Sequence, residues 1–328
     1  MRTEQENPLG TERVGRLLLR LALPAVTAQL VNMLYNIVDR MYIGHIPDVG
    51  AAALTGVGVT FPIIMVIAAF SALIGMGGAP RASIKMGQKD DAGAEEIMGN
   101  CLTVLVGISV VLTAVFLFFG RDLFLLFGAT GDTIGYASSY MNIYVCGTLF
   151  VQLALGMNSF ISSQGFAKTS MITVVIGAAI NIALDPLFIF TFGLGVQGAA
   201  LATVLSQAVS AVWVMSFLRG KKTHLRIRRR YLRPKASVML PVLALGVSPF
   251  IMQSTESLVN IALNSSLQAY GGDLAVGAMT ILASLMQVLS LPIMGIAQGA
   301  QPIAGFNFGA GKNDRVRKTF KLLLISSV

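Results

Sequence analysis

The sequence places carboxylates where an oily chain should have none. Of 15 Asp and Glu residues, three lie well inside apolar stretches: Asp39 in YNIVDRMYIG, Asp185 in INIALDPLFIF and Glu256 in QSTESLVNIAL. A charge at the middle of a bilayer costs ~2.5–3.5 kcal/mol on insertion scales, so such residues face cavities and mark ion or proton paths. Asn181 precedes Asp185 by four residues, and Tyr35 precedes Asp39 by four. On a helix each pair shares one face. Together with Thr203 they supply two carboxylates, an amide and two hydroxyls. An all-oxygen set suits a hard cation such as Na⁺. Two neighbouring carboxylates also resist being ionised together, which suits a proton carrier. Both readings stand on these residues alone.

The elements that would hold them are transmembrane helices. The chain has 328 residues, 55% hydrophobic and 12% charged, about half the charge of a soluble protein. Apolar runs long enough to cross a bilayer recur throughout. They are continuous rather than alternating, which selects helices over a barrel. The expected spans are 14–44, 52–79, 96–119, 134–160, 168–192, 196–218, 238–269 and 274–304, with a ninth starting near 316. With the N-terminus inside, all but Arg40 and Arg121 of the 24 Lys and Arg fall on the inner side. That bias sets a cytoplasmic N-terminus in a plasma membrane. Counting residues from the span ends then puts Asp39, Asp185 and Thr203 within ~5 Å of one depth, toward the outer side. Pro24 and Pro186 interrupt helical hydrogen bonding and are candidate bending points.

Other functions find little support. The basic run LRGKKTHLRIRRRYLRPK (218–235) reads as a solvated loop near anionic lipid headgroups, not as a nucleic-acid patch. Cys101 and Cys146 sit in separate apolar segments, without metal or redox spacing. No cofactor is expected beyond a coupling ion, and a monomer is the expected state. The first apolar segment continues past the length of a signal peptide and reads as an uncleaved helix.

The chain also repeats itself. A shift of 225 carries Pro24 in LALPAV onto Pro249 in GVSPFI, and Asp48 in IPDVGAAALTG onto Asp273 in YGGDLAVGAMT. GQKDDAG (87–93) then falls near GAGKNDRV (309–316). Internal repeats flanking a binding site are a common plan for secondary transporters. The expected organisation is residues 1–218 as a six-helix N-lobe, 219–235 as a basic cytoplasmic linker and 236–328 as part of a C-lobe. Two complete six-helix repeats would need roughly 450 residues, so the second lobe is expected to be truncated, with about three spans lacking. The fold class is an all-α polytopic membrane protein, a two-lobe transporter.

Several stretches resemble the multidrug and toxic compound extrusion (MATE) family. They are LALPAVTAQLVNMLYNIVDRMYIGH, AKTSMITVVIGAAINIALDPLFIF, GVQGAALATVLSQ and PIMGIAQGAQPIAGFNFGAGKNDRVRKTF, which together span the chain. The resemblance implies two six-helix lobes around a central cavity and antiport of organic cations against Na⁺ or H⁺. It implies an ion site at Asp39, Asn181, Asp185 and Thr203, with Glu256 as a further candidate. Arg40 beside Asp39 departs from the small polar residue the pattern leads one to expect. Gln152, Met157, Asn158, Met252, Gln253 and Met286 are candidate cavity residues, because methionine and amide side chains adapt to varied ligands. A lipid-linked oligosaccharide flippase is the alternative within this superfold. It should carry a cationic central cavity, whereas the central stretches hold no Lys or Arg. A membrane enzyme would need a nucleophile and base, and none is found.

Overall fold

The protein is described by a computed structural model covering residues 7–327, with only some side chains described between 257 and 285. Among the described residues it is helical throughout, without strands. The helices are α1 (Pro8–Thr11), α2 (Val14–Gly44), α3 (Gly50–Gly87), α4 (Asp91–Leu126), α5 (Ile134–Cys146), α6 (Thr148–Ser163), α7 (Ala167–Pro186), α8 (Gly195–Arg219), α9 (Ala236–Gly309) and α10 (Asn313–Ser327). A π turn, Leu187–Thr191, extends α7, and a 3₁₀ turn, Arg229–Tyr231, precedes α9. Six helices are long and apolar enough to cross a membrane, or seven if α5 and α6 form one broken span. The expected unbroken span over 134–160 is thus corrected: α5 and α6 meet at an angle of 58°, across Gly147.

Helical assignment runs unbroken through α9, 74 residues that would extend about 110 Å if straight. Yet Gly246 packs on Leu73 of α3, and Gly309 packs on Ile84 of the same helix. Those two α3 positions are only about 17 Å apart. The chain therefore reverses within α9, which supplies two antiparallel limbs. The first limb meets α3 where Gly246 and Gly77 let the backbones touch: a Cβ on Gly246 would strike the Leu73 carbonyl. Small residues allow such approach between helices in lipid, where no hydrophobic force drives them together.

These contacts gather at one end of the molecule, the N-terminal face. α2 leaves that face, α3 returns to it, and Gly299 packs on Ala22 near the start of α2. The short α1 closes the same face. Its exposed carbonyls are capped by side chains near the α9–α10 joint. Asn307 Nδ2 donates to Leu9 O at 2.9 Å, Lys312 Nζ to Gly10 O at 2.9 Å and Arg315 Nη2 to Glu12 O at 2.7 Å.

The basic run after α8 is not a free loop, as the sequence suggested. Asn100 of α4 donates to Tyr231 O at 3.0 Å and accepts from Lys235 N at 2.6 Å. Gln164 Oε1 accepts from Thr223 Oγ1 and Leu225 N, both at 2.8 Å. Glu95 pairs with Arg228, and Glu96 with Lys235 at 2.6 Å. The Glu96 carboxylate pushes the Lys235 ammonium above its ordinary range. The run is a strap pinned along α4, with its basic side chains mostly outward.

The repeat is visible in the backbone. α3 ends at Gly87 and α9 at Gly309, and two residues beyond each the chain turns through positive φ, at Lys89 (62°) and Gly311 (70°). Gly87 packs on the Phe306 carbonyl while Gly309 packs on the Ile84 carbonyl, a reciprocal contact between equivalent positions. Asp273, the other anchor of the repeat, lies outside the described side chains. After the first joint Asp90 caps α4, accepting from Gly93 N at 2.9 Å and Lys85 Nζ at 2.8 Å. Lys85 and the Gly93 N–H hold its carboxyl below the ordinary range.

The two joints differ in residue type, and this gives a test. A non-glycine residue in left-handed geometry costs about 1–2 kcal/mol. Lys89→Gly should stabilise the protein by about 1 kcal/mol, and Gly311→Ala should destabilise it by a similar amount. Thermal melting in detergent would measure both.

Candidate functional site

α7 brings Asn181 and Asp185 onto one face, four residues apart, and both are buried. Asn181 Nδ2 donates to Asp185 Oδ1 at 3.2 Å and to Thr203 Oγ1 of α8 at 3.4 Å. Asp39 of α2 joins them, close to Asp185. Asp39, Asp185 and Thr203, expected at one depth, and Asn181, one turn from Asp185, lie close together. The Asp39 Oδ1, Asn181 Oδ1 and Asp185 Oδ2 atoms are buried and have no hydrogen-bond partner. All three are acceptors, so the site offers oxygen without matching donors.

Local sequence explains the arrangement. Pro186 has no N–H, so the carbonyl one turn back loses its usual donor. The chain answers with the π turn, in which Phe192 N reaches Leu187 O at 2.9 Å. Such single π turns are frequent at functional sites. Pro186 accordingly ends α7 directly after Asp185. Pro24 lies inside an α2 that remains one helix.

Tyr140 of α5 was not singled out in the sequence. It is buried and lies close to Thr203, Asp39 and Tyr35. Tyr144 stacks beside it, with ring centroids 6.0 Å apart. A tyrosine in an apolar run looks like ordinary packing, and only the fold shows its hydroxyl aimed at the site. The bend after α5 is what aims it. A Cβ on Gly147 would meet Val204 Cγ2 at 2.5 Å, so glycine there lets α5 approach α8 beside Thr203.

Toward the N-terminal face the site adjoins a cavity of about 40 Å³ walled partly by Ala154, Leu155, Val174 and Ala178. Asn32 and Tyr35 of α2, Asn158 of α6, Thr173 of α7, and Gln207 and Ser210 of α8 line it. Asn158 Nδ2 donates to Ser170 O at 3.2 Å, while its Oδ1 is buried without a partner. The space exceeds the ~10–15 Å³ that one water needs.

Other candidates separate from this group. Gln152 is fully buried and spends its amide tying α6 to α3: Nε2 donates to Ile67 O at 2.9 Å and Oε1 accepts from Ser71 at 2.8 Å. Met157 is fully buried among Met98, Leu105 and Phe160. Both are packing residues rather than cavity walls, because no open space borders them. Glu256 is exposed on α9 and joins none of the described contacts of the site. Met252 and Met286 are exposed on the two limbs of α9, and Gln253 is half-buried. The Arg40 guanidinium lies over the Phe61 ring, 5.4 Å from its centroid. Among the described residues no three His, Cys, Asp or Glu side chains cluster as a metal site.

Long apolar helices with a buried oxygen-rich cluster between them define a multi-pass membrane protein of the transporter type. The MatE family model matches residues 24–187 and 249–328, and the chain belongs to that family. Multidrug export protein MepA of Staphylococcus haemolyticus is 27% identical over 326 residues, covering 99% of this chain and 71% of the relative. MepA of Staphylococcus aureus strain NCTC 8325 is 25% identical over the same share. Among solved structures, an outward-facing multidrug resistance MATE transporter of the MOP superfamily superposes with a TM-score of 0.91 at 26% identity, covering 98% of this chain and 71% of that one. A MATE protein in a straight conformation gives 0.92 at 26% identity, covering 99% and 72%.

Gly147 offers a direct test of how the site is positioned. Gly147→Val should destabilise the protein by about 1–3 kcal/mol through overpacking against Val204. A lowered melting temperature, with Gly135→Ala unchanged because nothing lies within 4 Å of Gly135, would confirm it.

Proposed function

We propose that the protein is a cation-coupled antiporter that exports amphipathic organic cations. The observation that carries this reading is the convergence of three partnerless buried oxygens on Asp39, Asn181 and Asp185. Two unit charges about 4 Å apart repel by about 4 kcal/mol at an effective dielectric of 20. Two neighbouring buried carboxylates therefore need a shared proton or a bound cation. Asp39 and Asp185 supply the charge, Asn181 and Thr203 the neutral oxygens, and Tyr140 packs beside them. The cavity below, with Tyr35 and Asn158, is the proposed route or subsite toward the inner side.

The gathering of helix contacts at the N-terminal face supports an outward-facing arrangement, provided that face is cytoplasmic, as the Lys and Arg distribution favours. In this reading residues 1–218 and 236–328 belong to two lobes joined by the strap. Loading the site bends α2 at Pro24 and loosens that closed face. The protein works as a monomer in the plasma membrane and makes no covalent bond. Glu256 is a secondary acidic group outside the main site. The flippase reading is not favoured.

The test is efflux of a fluorescent organic cation from proteoliposomes under an imposed Na⁺ or pH gradient. Asp185→Asn should lower gradient-driven efflux by at least tenfold, while Asp48→Asn, in the loop between α2 and α3, should leave it unchanged. Response to one gradient alone identifies the ion. Undiminished efflux by Asp185→Asn would sink the proposal.

A further inference from the structure

α4 and α5 diverge at the end of the molecule opposite the N-terminal face and leave a groove of about 390 Å³ between them. That is within the size of ordinary ligand pockets, roughly 300–1,000 Å³. One wall comes from α4, where Leu117, Arg121 and Phe124 follow one helical face, with Phe116 beside them. The other comes from α5, where Ser138 and Asn142 lie one turn apart. The α4 wall is thus apolar apart from the Arg121 guanidinium, and the α5 wall adds Ile134 and Gly135 to the hydrogen-bonding Ser138 and Asn142.

Its depth is set by the sequence. After Glu96, residues 97–120 carry no charge, and at 1.5 Å per residue they extend about 36 Å. The hydrocarbon core is about 30 Å thick, so the helix emerges among headgroups as it reaches Arg121. Among the described residues Arg121 makes no ion pair, and neither Asp122 nor Asp132 lines the groove. Below the groove α4 presents Val110, Val111 and Phe118 outward, a surface for acyl chains.

We propose that this groove binds the headgroup of one anionic phospholipid from the leaflet opposite the N-terminal face. Arg121 takes the phosphate through paired N–H donors, a geometry suited to guanidinium. Ser138 and Asn142 bond the polar part of the headgroup, and the first acyl carbons rest on Phe116 and Leu117. With one positive side chain and no carboxylate among its lining residues, the groove offers nothing to the ammonium of a zwitterionic lipid. That selects phosphatidylglycerol-like over phosphatidylcholine-like headgroups.

The test is native mass spectrometry of the full chain in mild detergent, titrated with phosphatidylglycerol or phosphatidylcholine of matched acyl chains. The wild type should hold one phosphatidylglycerol about tenfold more tightly than phosphatidylcholine, and Arg121→Gln should abolish that preference. Gly135→Leu should block the same equivalent, because Gly135 lines the groove and a Cβ there meets nothing within 4 Å; an unchanged melting temperature checks that the fold is kept. Arg40→Gln, which removes the other basic residue expected on this side, should retain it. Equal wild-type affinity for the two lipids, or an intact preference in both Arg121→Gln and Gly135→Leu, would overturn the assignment.

Discussion

Everything in this molecule turns on how it keeps Asp185 out of water. A buried carboxylate is tolerable only if it is hydrogen-bonded, paired or neutralised. Here Asn181 answers one oxygen and nothing answers the other. The surrounding features make sense as the means of delivering partial compensation. Pro186 ends the helix just past the carboxylate, and the π turn absorbs the displaced backbone bonds. Gly147 lets α5 lean on α8, so that Tyr140 and Thr203 reach the cluster from the far side. What these devices leave unmet is acceptor capacity, and a cation or a proton is the chemical complement of unmet acceptors.

A second constraint acts at the opposite end. Helices in lipid gain little from burying apolar surface against one another, so firm contact depends on close backbone approach and polar ties. Both are concentrated at the N-terminal face. Glycines bring α3 and α9 to backbone contact, and Asn307, Lys312 and Arg315 hold the carbonyls of α1. The polar cluster lies away from this closed end. A ligand-dependent change at the cluster could therefore be transmitted along α2, which carries Asp39 near one end and the Ala22 contact near the other. The strap along α4 limits how far the first limb of α9 can separate from the rest, since Asn100 and Glu96 bind its very start at Lys235.

The sequence was most informative where charge met hydrophobicity. Asp39, Asn181, Asp185 and Thr203 stood out because polar groups are costly in such surroundings, and loop charge put Asp39, Asp185 and Thr203 at a common depth. The same reasoning failed for groups whose polarity is satisfied inside the bundle. Gln152 looked available for a ligand, yet both ends of its amide are spent on helix ties, which no residue count reveals. Tyr140 failed in the opposite way, since an aromatic residue in an apolar run attracts no notice until a neighbouring helix is placed. The bend at Gly147 was hidden because glycine is common in membrane helices, and only Val204 across the gap makes this one necessary. Glu256 lies on α9, exposed and apart from the Asp39 and Asp185 group, as its position in the second half of the chain leads one to expect.

The repeat adds an asymmetry that packing alone does not require. The joints after α3 and α9 use the same turn, and their glycines contact each other's helix reciprocally. Charge does not follow that symmetry. The shift that carries Pro24 onto Pro249 carries Asp39 onto Asn264, a neutral residue, and Arg40 onto Ser265. Matched packing allows two repeats to move against each other about a common closed end. At the position matched to Asp39 the carboxylate occurs in the first repeat only. Under the proposed mechanism, this difference gives the ion a lever: it changes the shape of the first repeat relative to a second that carries no carboxylate at the matching position. Full symmetry would place equal charge on both halves and leave binding with less to bias.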